Sequence, residues 1–424
     1  MKKYIPLLLC ILLLASCTGA SEKRSRVLKV YNWADYIDEE VLAEFPAWYK
    51  EQTGEDIRII YQVFDINEIM LTKIERGQED FDLVCPSEYI IERMLKKDLL
   101  LPINRNFGKT PDYIPNISPY IQKELEKISQ PGRHTNDYVV PYMWGTAGIL
   151  YNKKFKTLEE VSSWGCLWDA VNRGKILMKD SYRDAYGTAI IYAHARQLAD
   201  STITVEQLMN DNSPEAITLA EQYLKDLKPN IAGWEADFGK EMMTKNKAWL
   251  NLTWSGDAVW AIDEAEAVGV DLDYVVPREG SNIWYDGWAI PKYARNVKAA
   301  SYFINYLCQP DIALRNMDAI GYVSAVATPE IMEAKIDTTL EQFSDLSYFF
   351  GPGADSVQMI RDFGDRTELV LEMWSRVKGD NLNTGIVLLI FAVFGILFVW
   401  IVWKRISIYK QKKRHHRRRR RIRR

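Results

Sequence analysis

The sequence predicts an α/β protein of two lobes joined by extended hinge crossings, followed by a C-terminal transmembrane helix. Three observations carry that expectation. From Val27 onward, short apolar runs alternate with stretches of helical character, which argues for sheets covered by helices. Two long extended segments, YVVPYMWGTAGILYN (Tyr138 to Asn152) and IWYDGWAIP (Ile283 to Pro291), have the length to pass between lobes. Near the end, GIVLLIFAVFGILFVWIVW (Gly385 to Trp403) holds nineteen residues without a charge, roughly 28 Å of helix and close to the thickness of a bilayer core.

LKVY reads as the first strand, and the helix after it starts near Asp38, a good N-cap residue. Pro46 is expected to end or kink that helix. DIRIIYQVF is the next strand, Asn67 to Arg76 a helix, FDLVCP a third strand, and Tyr89 to Lys97 another helix. The first crossing follows. KILMKD is a strand, Ala185 to Ala199 a helix, and AWLNLTW a strand leading into a helix from about Asp257. DYVVP precedes the second crossing, with helices over Val297 to Cys308 and Asp311 to Ala319 after it. The stretch from Ser356 to Lys378 includes a long final helix.

The two ends are unlike the middle. Lys2 and Lys3, an apolar run from Ile5 to Leu14 and small residues at the break describe a secretory signal over 1–17. Its closing group, Leu14-Ala15-Ser16-Cys17, resembles the bacterial lipobox, which implies cleavage before Cys17 and lipidation of its thiol, with 18–27 as a tether. At the other end, Trp400 and Trp403 sit where interfacial aromatics are expected. A polar linker over 379–384 precedes the span at 385–403. The tail over 404–424 holds thirteen Lys and Arg residues and no acid. Directly after an apolar span, such a block reads as a cytoplasmic anchor to anionic lipid rather than a nucleic-acid arm.

The whole chain has 54 basic and 57 acidic residues; without Lys2, Lys3 and the tail, 39 basic face 57 acidic, a net of −18. An exported body so acidic attracts cations and disfavours anionic substrates. Past Cys17 only Cys85, Cys166 and Cys308 remain, too few and too scattered for a disulfide framework. His134 and His194 are isolated, and His415 and His416 lie in the tail, so neither a histidine-based metal site nor a catalytic one is expected. No cofactor is implied.

The expected strand ends share a chemistry. Trp33, Asp35 and Tyr36 follow the first strand; Ser87, Glu88 and Tyr89 follow FDLVCP; Asp184 follows KILMKD; Trp254 and Asp257 follow AWLNLTW; Trp284, Tyr285 and Asp286 lie at the second crossing. Taken singly, each has an ordinary explanation: Asp is favoured at helix starts by capping and the helix dipole, and aromatic residues fill cores. Their recurrence at equivalent positions around one cleft is what favours a site. Ring faces attract ammonium groups and pack against methylenes, and carboxylates in a poorly hydrated cleft pair strongly with amines. A linear polyamine alternates the same two features.

YNWADYI, DLVCPSEY, VPYMWGTAGILYN, TWSGDA, IWYDGWAIP and IGYVSA resemble, in order, the spermidine/putrescine-binding proteins of polyamine ABC importers. The resemblance spans about Leu28 to Lys378 and implies the two-lobed periplasmic binding protein fold. It implies lobe 1 over 28–142 and 287–320, and lobe 2 over 143–286 and 321–378. It also implies polyamine contacts from Trp33, Tyr36, Ser87, Tyr89, Asp184, Trp254, Asp257, Trp284, Asp286 and Tyr322, to which the strand-end reading adds Asp35. Asp257 matches an acid typical of putrescine-selective members, Asp184 stands where Glu is usual, and Ala34 replaces a hydroxyl residue. The implied protein is a monomeric, extracytoplasmic receptor at the cytoplasmic membrane. It is not an enzyme, and it hands its ligand to an ABC permease with its ATPase. A sensory protein built on the same body, or a receptor for another small cation, are the alternatives.

Overall fold

The first apolar run forms β1 (Val27–Trp33), a central strand whose neighbours β2 (Arg58–Phe64) and β3 (Leu83–Val84) both run parallel to it. In the computed structural model the described residues are 24–77, 79–236, 238–331, 357–379, 391–398, 400, 401, 403 and 404. They divide into two compact units, with the second beginning at Leu371. The signal segment with Cys17, most of the tether and linker, and the tail beyond 404 lie outside the described residues. Of the expected membrane span, 391–398 are helical and their apolar side chains are exposed. Among the described residues no helix is long and apolar enough to cross a membrane.

Between β1 and β2 lies α1 (Glu39–Thr53), which Asp38 caps by accepting the Glu40 N–H at 2.8 Å. Gly54 ends it in the left-handed conformation at φ +74°, the usual use of glycine past a helix end. Pro46 does not end this helix, which continues through it to Thr53. A helix-interior proline costs about 3 kcal/mol. Burial of Phe45 and Tyr49 on the same helix, against Phe303 and Tyr302, offsets that at about 2 kcal/mol or more each.

Helix α2 (Asn67–Glu75) and helix α3 (Glu88–Lys96) follow β2 and β3. The first crossing is β4 (Val139–Asn152), buried along all its length. Beyond it, β5 (Ile176–Lys179) leads into α4 (Tyr182–Ala193), and β6 (Ile231–Glu235) pairs parallel with β5. The strand β7 (Leu250–Trp254) leads into α5 (Ser255–Ala267), and β8 (Leu272–Val275) pairs with β4. The second crossing, β9 (Ser281–Pro291), is also buried throughout.

The strand order β2-β1-β3-β9-β4-β7-β5-β6 makes the architecture plain. Two parallel blocks flank an antiparallel pair, β4 and β9, and those two strands are shared by both halves. This is the two-domain arrangement expected from the extended segments. Where the pair passes between the halves its register shifts by one residue at Asp286/Gly287: Asp286 faces Met143 but Gly287 faces Pro141. Such a bulge re-aims the side chain beside it.

Two helix boundaries differ from the sequence expectation. The helix expected over 185–199 starts at Tyr182, because the Ser181 hydroxyl accepts the Asp184 N–H at 3.3 Å, and it breaks at His194 before a short helix resumes. The helix expected from Asp257 starts at Ser255. Asp184 and Asp257 therefore both occupy the third position of a helix that leaves adjacent parallel strands. The helix dipole favours a carboxylate in that first turn.

Candidate functional site

Asp286 lies at the centre of the candidate site. It lies beside the register shift of β9 with only 5% of its surface exposed. Ser87, which precedes α3, donates to one carboxylate oxygen at 2.6 Å, and Tyr36, from the loop after β1, donates to the other at 2.9 Å. Both donors are neutral. Burial pushes the Asp286 carboxyl up to about 7, against the opposing pull of those two hydrogen bonds. Beside it Glu88 is also buried and is pushed up to about 8 by burial, despite accepting the Tyr285 backbone N–H at 3.1 Å.

Aromatic rings surround this acid. The Tyr36 ring meets Tyr142 and Tyr322 edge-on, with centroids 5.6 and 5.3 Å away. Trp284 meets Tyr322 in the same manner at 5.4 Å. Tyr322 follows Gly321, whose φ of +76° turns the chain sharply out of the preceding helix, and its hydroxyl donates to Asp257 at 3.0 Å. One continuous path of contacts thus runs from Ser87 and Asp286 through Tyr36 and Tyr322 to Asp257.

The other acid of this half has different company. Asp184 accepts the Trp254 indole N–H at 2.9 Å and the Asn282 amide at 3.0 Å, and it forms no ion pair among the described residues. Asp257, by contrast, already holds a cation: Lys179 Nζ stands 2.6 Å from it, and Lys240 is 3.8 Å away. Burial alone would raise Asp257, but those ammonium groups and the Tyr322 hydroxyl keep it below the ordinary carboxylate range. Lys179 also lies 4.6 Å from the centroid of the Trp254 ring.

Tyr89 is tied to Ser87 through Asn67, whose amide donates to both side chains at 3.0 Å. Above the Tyr89 ring, at 3.5 Å, lies the guanidinium of Arg183, from the opposite half. Next to it Tyr182 donates to Glu68 of α2 at 2.7 Å, a second contact across the cleft. Trp33 packs on Phe64 at 4.6 Å, at the edge of the group. Asp35 is exposed and takes a left-handed φ of +49°, so its place is the turn of the loop rather than the ring of contacts around Asp286.

Sequence reasoning missed Lys179, Arg183, Tyr182, Glu68 and Asn282. The signal existed for Lys179: a lysine closing an apolar run at a strand end must find a partner if it is buried. For Glu68 and Tyr182, 114 residues apart, no local pattern indicates the pairing. Among the described residues no group of three His, Cys, Asp or Glu side chains could hold a metal ion.

The chain has well-covered relatives. The spermidine/putrescine-binding periplasmic protein of Salmonella typhimurium is 29% identical over 383 residues, covering 89% of this chain and 99% of the relative. The putrescine-binding periplasmic protein PotF of Escherichia coli is 29% identical over 336 residues, covering 77% and 86%. Among solved structures, the spermidine/putrescine ABC transporter substrate-binding protein PotD of Streptococcus pneumoniae superposes with a TM-score of 0.63 at 30% identity, over 83% of this chain and 98% of that one. The model of the bacterial extracellular solute-binding protein family matches residues 47–335. With that match over most of its length, and two sheet blocks sharing a pair of crossing strands beside a buried cluster of acids and rings, the chain belongs to the bacterial extracellular solute-binding proteins.

Proposed function

We propose that this protein captures a polyamine outside the cytoplasmic membrane, closes around it and presents it to an ABC permease. The observation that carries the reading is Asp286: a buried carboxylate, walled by Tyr36, Trp284 and Tyr322, whose hydrogen-bond partners are both neutral. A buried charge without a counter-ion is costly. An ammonium group delivered by the ligand would be that counter-ion. Asp184, held by two neutral donors beside Trp254, is suited to take a second ammonium, with the aromatic faces on the methylenes between them. Ser87 and Tyr89 position the first acid, Trp33 closes one wall, and Asp35 stays at the rim. The names of the relatives, which bind spermidine or putrescine, support the same ligand class. The acidic body supports it too, since its field concentrates cations at the opening.

We also propose that the protein is held at the membrane by lipid on Cys17, by the apolar segment 385–403, or by both, with the basic tail inside. Protease accessibility of the tail in intact cells tests the segment 385–403, since an external tail contradicts a span there, and loss of membrane retention in Cys17→Ser tests the lipid. The ligand is tested by calorimetry of the protein with putrescine, spermidine and a neutral diol of similar length. Heat with an amine and none with the diol is expected. No heat with either amine overturns the reading.

A further inference from the structure

Lys179 is the last residue of β5, and it is a lysine with 1% of its surface exposed. Its ammonium group reaches Asp257 at 2.6 Å, Glu235 at 3.3 Å and the carbonyl of Ala236 at 2.7 Å. It also stands 4.6 Å from the centroid of Trp254. An acid, a second acid and an aromatic face are the surroundings that the cleft would offer the ammonium group of a ligand. Here the chain supplies its own.

The three acids of the cleft consequently divide. Asp286 and Asp184 have neutral donors alone. Asp257 has one oxygen on Lys179 and the other on the Tyr322 hydroxyl, with Lys240 also nearby. A ligand ammonium arriving at Asp257 would compete with a tethered, already desolvated partner and would face the Lys179 charge at close range.

We propose that Lys179 is a built-in ammonium that fills the third acidic position of the cleft, so that the site accepts a ligand with two ammonium groups and rejects one with three. This rests on the polyamine reading above and narrows it to the diamine class. It also gives Asp257 a new role. The acid positions Lys179 and Tyr322, and meets the ligand through them.

The test is the ratio of putrescine to spermidine affinity, measured by calorimetry on the wild-type protein, Lys179→Met and Lys179→Arg, each checked for its fold by circular dichroism. The wild type should bind putrescine at least tenfold more tightly than spermidine. Lys179→Met should shift the ratio at least tenfold toward spermidine, because Asp257 then keeps only Lys240 as a cation, at 3.8 Å, and its other oxygen can take the third ammonium. Lys179→Arg keeps the charge and should stay within threefold of the wild-type ratio. A purely structural lysine would lower the affinity for both amines alike and leave the ratio unchanged, and that result overturns the proposal. Should Lys179→Met fail to fold, Lys179→Met/Asp257→Asn removes the pair together. It should still lose at least threefold of the discrimination, and full retention refutes the idea. If the wild type binds both amines equally, the receptor reading stands and this proposal falls; if it binds neither, the receptor reading itself falls.

Discussion

In the proposed site, Asp286 would couple ligand capture to protons. Burial holds its carboxyl up to about 7, and the groups facing it are Ser87, Tyr36, Tyr322, Cys85 and Glu88, none of which is a cation. Below that value the ligand-free site is largely protonated and offers an ammonium group little. Putrescine affinity should therefore rise from pH 5.5 to about 7, by up to tenfold per unit, and level off above, with a proton released on binding at the acid end. Titrations in buffers of different ionisation enthalpy read both effects, and a flat profile from pH 5.5 to 8 contradicts the assignment. Asp286→Asn should flatten it and weaken binding at least tenfold at pH 8, at least about 1.4 kcal/mol. The stability of the free protein has the opposite sign. A carboxyl raised on folding contributes stability that is fully present below about pH 4 and lost as pH rises through 7, a slope that the amide variant should reduce, leaving the part of the same sign that Glu88, raised to about 8, contributes. The Asp286 position was legible in the sequence because it sits at a crossing among aromatic residues. Its neutral company and the cation on Asp257 were not, because those depend on side chains brought together from distant parts of the chain.

At the scale of elements, the apolar runs identified strands and crossings well, since strands buried on both faces read as nearly continuous apolar stretches. Short or edge elements escaped. The strand IAGWE at Ile231–Glu235 is short, broken by a glycine and closed by an acid, and the helix Pro214–Leu227, with Ser213 as its cap, has no expected counterpart. Helix starts slipped by two or three residues because Ser181, not the acid three residues on, supplies the cap for α4. The start of α5 shows how an element fixes a site residue. Gly256 is its second residue, and a Cβ there would run into the Tyr322 ring. Its φ is not in the left-handed region, so alanine would be unstrained in the backbone and, by helix propensity alone, would stabilise by about 1 kcal/mol. The clash should win. Gly256→Ala is expected to destabilise by about 1–3 kcal/mol in urea unfolding and to weaken putrescine at least tenfold by displacing Tyr322 from Tyr36 and Trp284. Unchanged binding would detach Tyr322 from the site.

Within the first unit, several contacts join the two halves, and on the proposed reading they would be made and broken as the halves close and open. Tyr182 donates to Glu68 at 2.7 Å, and Arg183 lies over Tyr89 at 3.5 Å while donating to the carbonyl of Arg361 at 2.9 Å. Arg361 pairs with Glu92 of α3 at 2.9 Å, Asp362 takes Arg93 at 2.6 Å, and the Asn210 side chain accepts the Arg361 N–H at 2.7 Å. The segment 357–366 is thus held by both halves and forms a third connection beside β4 and β9. Contacts at α3 can persist through a hinge motion, whereas the Tyr182–Glu68 bond links the first turns of α4 and α2, in opposite halves. On the proposed reading, in which the ligand lies between the halves, it would be a closing contact that acts on the closed state alone. A hydrogen bond to a carboxylate contributes about 1.5–3 kcal/mol. Tyr182→Phe should therefore speed putrescine dissociation at least tenfold and leave the association rate within about threefold, since the open form that meets the ligand does not use the bond. Stopped-flow tryptophan fluorescence resolves the two rates. A dissociation rate equal to wild type would show that closure does not depend on this contact, and a matching fall in association would place Tyr182 in the open form's capture step.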